Sequence, residues 1–299
     1  MRMSGFVLND ENRLRYIWRA LLFASLATWV VQPLMDMAFT LTGVPLHLSG
    51  RLTAGAVAFN EFENFLIALL CTLPFALYEH RSVDSYGISI GRALDWPFLE
   101  GLASGVVMTG FVALGMLFLG GMQVHGPALA TNMLATSALA WLGANILVGI
   151  GEEYFFRKYF LQSLWKSIGF WPASIIVSLL FAADHYFFKT GENIWDVITL
   201  VSISLLMCYS VLKTGSLWFA IGSHVAFDFV QLFVIGTPNG SKLPEGRLLN
   251  VTFHGPAWLT GGVLGTEASW LMYPAIALVW LYVWWRYRPA AADTRTPPS

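Results

Sequence analysis

The chain has 299 residues, of which 56% are hydrophobic and only 12% charged, with a formal net charge of −1. Soluble domains carry about a quarter charged residues, so half that share excludes a water-soluble globule. A charge balance this close to zero, without a basic patch, gives nucleic acid nothing to hold, and none is expected as a partner.

Apolar runs of membrane-spanning length, roughly 17–25 residues each, follow one another along the chain. The first lies near Ile17–Leu41 and is preceded by Arg13 and Arg15. It runs on past the small-residue stretch "SLA", so it reads as a span rather than a cleaved signal. Arg19 inside it is expected to snorkel to the near surface, and Asp36 to sit at the far interface. The second run, Ala54–Tyr78, opens with Glu61 and Glu63, read as interfacial, and the third covers Trp96–Gly120. "LTGVPLHLSG", "HRSVDSYGISIGRALD" and "GMQVHGPALATN" read as the loops between. Then come Met133–Phe160, Trp171–Phe188, Trp195–Leu212 and Ser216–Ile235. A long loop holding "LLNVTF", which suggests a short hairpin, leads to the last run, Ser269–Trp285. The tail "RPAAADTRTPPS" is expected to be disordered. Trp165, Trp171, Trp195 and Trp218, near the ends of runs, read as an aromatic belt.

Only segments that satisfy their own backbone hydrogen bonds cross a bilayer, and continuous apolar runs imply helices rather than a barrel. The predicted fold is all-α, a polytopic membrane bundle of about eight helices. It divides into N-terminal spans and loops (1–132), a helical core of spans four to seven (133–238), and an outer loop, last span and tail (239–299). Of the 17 basic residues, all but Arg51, Lys189, Lys242 and Arg247 fall on the side of the termini. The positive-inside rule therefore puts both termini in the cytoplasm. Cys71 and Cys208 lie inside runs and read as buried apolar filler, without a disulfide framework.

Ionisable side chains inside spans cost about 2.5–3.5 kcal/mol each on insertion scales, which makes each a functional hypothesis. In "GEEYFFRKYF", Glu153 and Arg157 are four apart and share a helix face, whereas Glu152 is turned away from the arginine. One carboxylate is thereby neutralised and its neighbour left free. In "FAADH", Phe181 is four before His185 and can shield the imidazole. In "HVAFD", His224 and Asp228 share a face. Glu152 and His185 can hold one water between them, with the carboxylate as proton acceptor. His224 and Asp228 then face the oxygen of an attacked carbonyl, where negative charge develops. That constellation suits amide hydrolysis inside a membrane.

"EEYFFR", "FAADH" and "HVAFD" resemble the three motifs EExxxR, FxxxH and HxxxN/D of the CAAX-protease and bacteriocin-processing (CPBP/Abi) family of intramembrane endopeptidases, which includes the type II CAAX prenyl endopeptidase. The resemblance covers roughly residues 135–235. It implies a CAAX-type intramembrane protease with Glu152 as water-activating base, His185 sharing the water, and His224 and Asp228 on the oxyanion side. Glu153, Arg157 and Phe181 are then supporting residues. The third motif more commonly ends in asparagine, and an ionised Asp228 cannot donate to an oxyanion, so it is protonated, orients His224 or binds something else.

Two mechanisms stay open: a glutamate-activated water with no required cofactor, or a Zn2+ site made by Glu152, His185, His224 and Asp228. The expected partners are the lipid bilayer and a membrane-associated protein or peptide substrate. The expected location is an integral multi-pass position, the inner membrane in a bacterial cell. A proton- or ion-coupled transporter built on the same acid–histidine set, and a non-catalytic scaffold or immunity protein, are the competing readings. All three motifs also share one level only if the fourth helix runs on past Phe160 toward Trp165.

Overall fold

The computed structural model describes residues 4–43, 50–82, 91, 93–189 and 191–288. The tail expected to be disordered lies, from residue 289 onward, outside the described residues, as does most of the loop between the second and third spans. Among the described residues, eight helices are long and apolar enough to cross a membrane. They are Tyr16–Thr42, Ala54–Glu79, Trp96–Phe118, Thr131–Ile168, Phe170–Phe187, Ile194–Thr214, Trp218–Ile235 and Gly262–Arg286, here the first to eighth spans. The chain is a polytopic helical bundle.

Its outer faces are apolar, with Phe118 91% exposed, while polar groups such as Asn145, Arg157 and Asp196 are fully buried. That is the reverse of a water-soluble helix bundle and fits a hydrocarbon surround.

The fourth span is the longest. Its α-helix Thr131–Tyr154 passes into a π-helical stretch, Phe155–Phe160, and continues as Leu161–Ile168. The helix therefore reaches beyond Phe160, the condition for the three motifs to meet. Gly169, with φ 84°, makes the turn into the fifth span.

The third and seventh spans approach through small residues. A Cβ added at Gly101 or Gly105 would overlap the carbonyl oxygens of Phe219 and Ser223, and one at Gly222 would overlap that of Phe98. This is small-residue packing, in which backbones touch because no side chain holds them apart. Gly151 does the same between the second and fourth spans, where an added Cβ would lie 3.3 Å from the Glu61 carbonyl oxygen.

Two loop assignments are corrected. Strand β1 (Met122–Pro127) pairs antiparallel with β2 (Leu249–Phe253), matching Met122 to Phe253 and Val124 to Val251. "GMQVHGP" is thus a strand rather than a loop, and "LLNVTF" pairs with it instead of folding back within its own loop. The eighth span begins in an irregular turn, Gly262–Ala268, and becomes a regular helix at Met272–Arg286.

Several interfacial readings also change. Arg19 is buried and pairs with Glu79 at 2.9 Å, donating as well to the Leu14 carbonyl, instead of snorkelling. The Tyr159 hydroxyl donates to the same carboxylate, which ties the first, second and fourth spans together. Glu63 is 2% exposed and accepts from Gln32. Trp165 and Trp218 are buried against Phe170 and Phe98, whereas Trp171 and Trp195 are exposed as a belt requires.

Candidate active site

Glu152 and Glu153 are consecutive on the fourth span, so their side chains leave the helix about 100° apart. Glu153 and Arg157 turn inward, and their side chains are 1% exposed each. Arg157 Nη1 donates to Glu153 Oε1 at 3.2 Å, and Nη2 donates to Ser204 Oγ of the sixth span at 2.7 Å. The guanidinium also lies over the Phe181 ring, 4.5 Å from its centroid. A buried arginine thus has a counter-ion, a hydroxyl and an aromatic face, the three kinds of partner that offset its desolvation.

Glu153 also accepts from Nδ1 of His224 at 3.1 Å. The bond fixes the imidazole of the seventh span and leaves Nε2 pointing between two further carboxylates. Nε2 lies 3.8 Å from Glu152 Oε2 and 3.5 Å from Asp228 Oδ2. Here the burial differs: Glu152, His224 and Asp228 are 16–17% exposed, open to the cavity in a way that Glu153 is not.

His185 enters from the fifth span. Its Nδ1 is 3.0 Å from the Phe181 carbonyl oxygen, and its ring packs 4.6 Å from the Phe181 ring. A carbonyl oxygen can only accept, so Nδ1 carries the hydrogen, and Nε2 keeps its lone pair. Such a nitrogen accepts a hydrogen from water or binds a metal.

All seven sequence-predicted side chains, Glu152, Glu153, Arg157, Phe181, His185, His224 and Asp228, line one cavity of about 220 Å³. Met108, Val148, Leu200 and Met207 form part of its apolar wall. Within 134–230, which holds all seven, the sequence matches the family described as "Rce1-like: Type II CAAX prenyl endopeptidase Rce1-like". Residues 134–230 are an Rce1-like domain.

The Rce1-like domain does not close the cavity alone. Glu61 of the second span, read from sequence as interfacial, lines it too, as do Lys189 at the end of the fifth span, Asn239 and Glu267. Glu61 reaches it because Gly151, next to Glu152, lets the second span in close. An acid inside an apolar run was the available signal, masked by its place near the run's start. Ser204 and the second bond of Glu153 carried no sequence signal, since both depend on which spans are neighbours.

Donor geometry also bears on metal binding. Among the described residues, the His, Cys, Asp and Glu side chains whose ligand atoms converge within 4.8 Å are Glu192, Asp196 and Glu267; Glu152, His185, His224 and Asp228 form no such group. His224 Nδ1 is engaged by Glu153, so only Nε2 faces the cavity. The four residues do not fit a tetrahedral zinc centre as arranged.

Beyond the domain, the chain is 28% identical over 183 residues to YyaK, an uncharacterized protein of Bacillus subtilis (strain 168). That alignment covers 56% of this chain and spans 60% of the relative's length. No solved structure matches the chain.

Proposed function

We propose that the chain is an intramembrane endopeptidase that hydrolyses a peptide bond of a membrane-associated protein or peptide. The observation that carries this reading is the set of Glu152, His185, His224 and Asp228, drawn from three spans onto one cavity inside an Rce1-like domain.

In the proposed reaction, one water hydrogen is held by Glu152 and the other by His185 Nε2, which directs an oxygen lone pair at the scissile carbonyl. Glu152 takes the proton as the oxygen–carbon bond forms. His224 acts as the imidazolium: its Nδ1–H is held by Glu153, and its Nε2–H donates to the oxygen on which negative charge develops. The carbon–nitrogen bond then breaks, and Glu152 returns the proton to the leaving amine. Asp228 acts as a positioning residue: its carboxylate, 3.5 Å from His224 Nε2, steadies the imidazolium electrostatically instead of donating to the substrate. That role resolves why a carboxylate can stand where asparagine is the commoner residue.

The water-activated route without a metal is favoured because the four side chains do not converge on a common point. Both termini are assigned to the cytoplasm on the distribution of basic residues.

Cleavage of membrane-anchored peptides, prenylated and unprenylated, by purified protein in detergent tests the reading. Wild type is expected to cleave at least one class, with Glu152→Gln lowering the rate by at least 10²-fold and a zinc chelator leaving it unchanged. Undiminished cleavage by Glu152→Gln refutes the mechanism, and loss of activity with chelator alone makes the site a metal centre. Proton-coupled substrate uptake into vesicles, in place of cleavage, would support the transporter reading.

A further inference from the structure

The geometry points to a calcium site adjoining the cavity wall at Glu267, made by Glu192, Asp196 and Glu267. These residues come from three places: the connection after the fifth span, the first turn of the sixth, and the irregular turn that opens the eighth. One carboxylate oxygen from each lies within 4.8 Å of the others.

Asp196 is the decisive residue. It is 0% exposed, yet among the described residues no N–H or hydroxyl donor reaches either of its carboxylate oxygens, and its polar neighbour is another acid, Glu192. Both oxygens of Glu192 are in the same condition, and its side chain is 1% exposed. A buried carboxylate without partners is costly, and coordination of a metal ion is one of the few ways to satisfy it. Lys189 supplies one positive charge: its ammonium donates to Glu267 and stands 3.5 Å from Glu192 Oε1, an ion pair without hydrogen-bond geometry. With all three ionised, the carboxylates against one ammonium leave two negative charges, which a divalent cation matches.

The donor set selects the ion. Carboxylate oxygens alone favour a hard cation over zinc or copper. Three protein carboxylates within 4.8 Å of one another favour Ca2+, which accepts many oxygen ligands in flexible geometry, over Mg2+, which demands a near-ideal octahedron and keeps most of its waters. Bound there, Ca2+ would fasten the hairpin of the fifth and sixth spans to the eighth. It would also hold Lys189 and Glu267, both on the wall of the cavity, in fixed positions. On the proposed orientation this site lies on the extracytoplasmic side, where sites of this kind bind with dissociation constants of about 10⁻⁴–10⁻³ M.

Terbium is the probe, because Trp195 adjoins Asp196 and lies tilted, 5.0 Å between ring centroids, against Trp270, giving two indoles to excite it. Full-length protein in detergent is titrated with Tb3+ under indole excitation, then with Ca2+ and Mg2+. Saturable emission is expected, displaced by Ca2+ near 10⁻⁴–10⁻³ M and at least tenfold less effectively by Mg2+. Asp196→Asn weakens Tb3+ binding at least tenfold, and Glu267→Gln does the same if Asp196→Asn fails to fold. Glu152→Gln leaves it unchanged. Absence of saturable emission in wild type, indifference to Ca2+, or loss in Glu152→Gln with retention in the cluster variants would each overturn the proposal.

Discussion

Replacing Arg157 with methionine isolates what the Glu153–Arg157 pair does. Arg157→Met keeps most of the side-chain volume and the contact with Phe181, but it takes the guanidinium from the Glu153 carboxylate and leaves it only the His224 Nδ1–H. That carboxylate is 1% exposed, and Glu153 Oε2 already lacks a partner, so water cannot compensate. Removing one member of a buried ion pair costs about 3–5 kcal/mol, whereas replacing both is close to neutral. The expected loss for Arg157→Met is therefore about 3–5 kcal/mol, a factor of roughly 10² to several 10³ in the folded-to-unfolded ratio. Glu153→Gln added to Arg157→Met restores most of it, because the amide is uncharged and its oxygen still accepts from His224 Nδ1. Equilibrium unfolding in mixed micelles, run as a double-mutant cycle, reads the coupling directly. Additive losses in the double variant would refute the argument, since they would mean that the carboxylate is not stranded when the guanidinium is removed.

Further outcomes concern packing, chemistry and topology. Gly101→Ala and Gly222→Ala place a methyl against a backbone oxygen of the opposing span, and each is expected to destabilise the bundle by about 1–3 kcal/mol. Gly143→Ala, which meets nothing within 4 Å, serves as the control in the same unfolding assay. Asp228→Asn keeps a partly negative oxygen beside His224 and is expected to retain cleavage within tenfold of wild type, while His224→Gln loses at least 10²-fold; equal losses in the two would remove the positioning role proposed for Asp228. Cys71 and Cys208 are buried and free, so introduced thiols label against a quiet background. Ser241→Cys should react with an impermeant maleimide in intact cells, and Arg13→Cys only after permeabilisation. The opposite pattern would invert the proposed orientation.

The eight spans were legible because a run of 20 apolar residues has few other uses. The face-sharing of Glu153 with Arg157 was legible because it depends on helical periodicity within a single span. What escaped the sequence joins residues far apart in it. β1 and β2 belong to loops separated by four spans, and Arg19 meets Glu79 only because the first and second spans lie side by side. Trp165 looks like a belt residue by position, but the fourth span carries it into the interior against Phe170. Glu61 was misplaced for the same reason: its depth follows from the close approach at Gly151, a property of two helices rather than one.

On the proposed mechanism, the two adjacent glutamates illustrate how a dry interior can hold a reactive acid. Glu153 spends its charge on Arg157 and its second contact on His224, at 1% exposure, so it is fixed by groups that water does not reach. Turned about 100° from it, Glu152 is 16% exposed on the cavity, and one of its oxygens has no hydrogen-bond partner. A lone carboxylate at this depth would be expensive and poorly aimed. Next to a neutralised twin it inherits a rigid helix face and a histidine whose far nitrogen is already directed at the cavity. On the proposed mechanism, the ion pair is therefore a condition of the chemistry: losing it would misdirect His224 as well as weaken the fold. Activity and stability should fall together in Arg157→Met and recover together when Glu153→Gln is added.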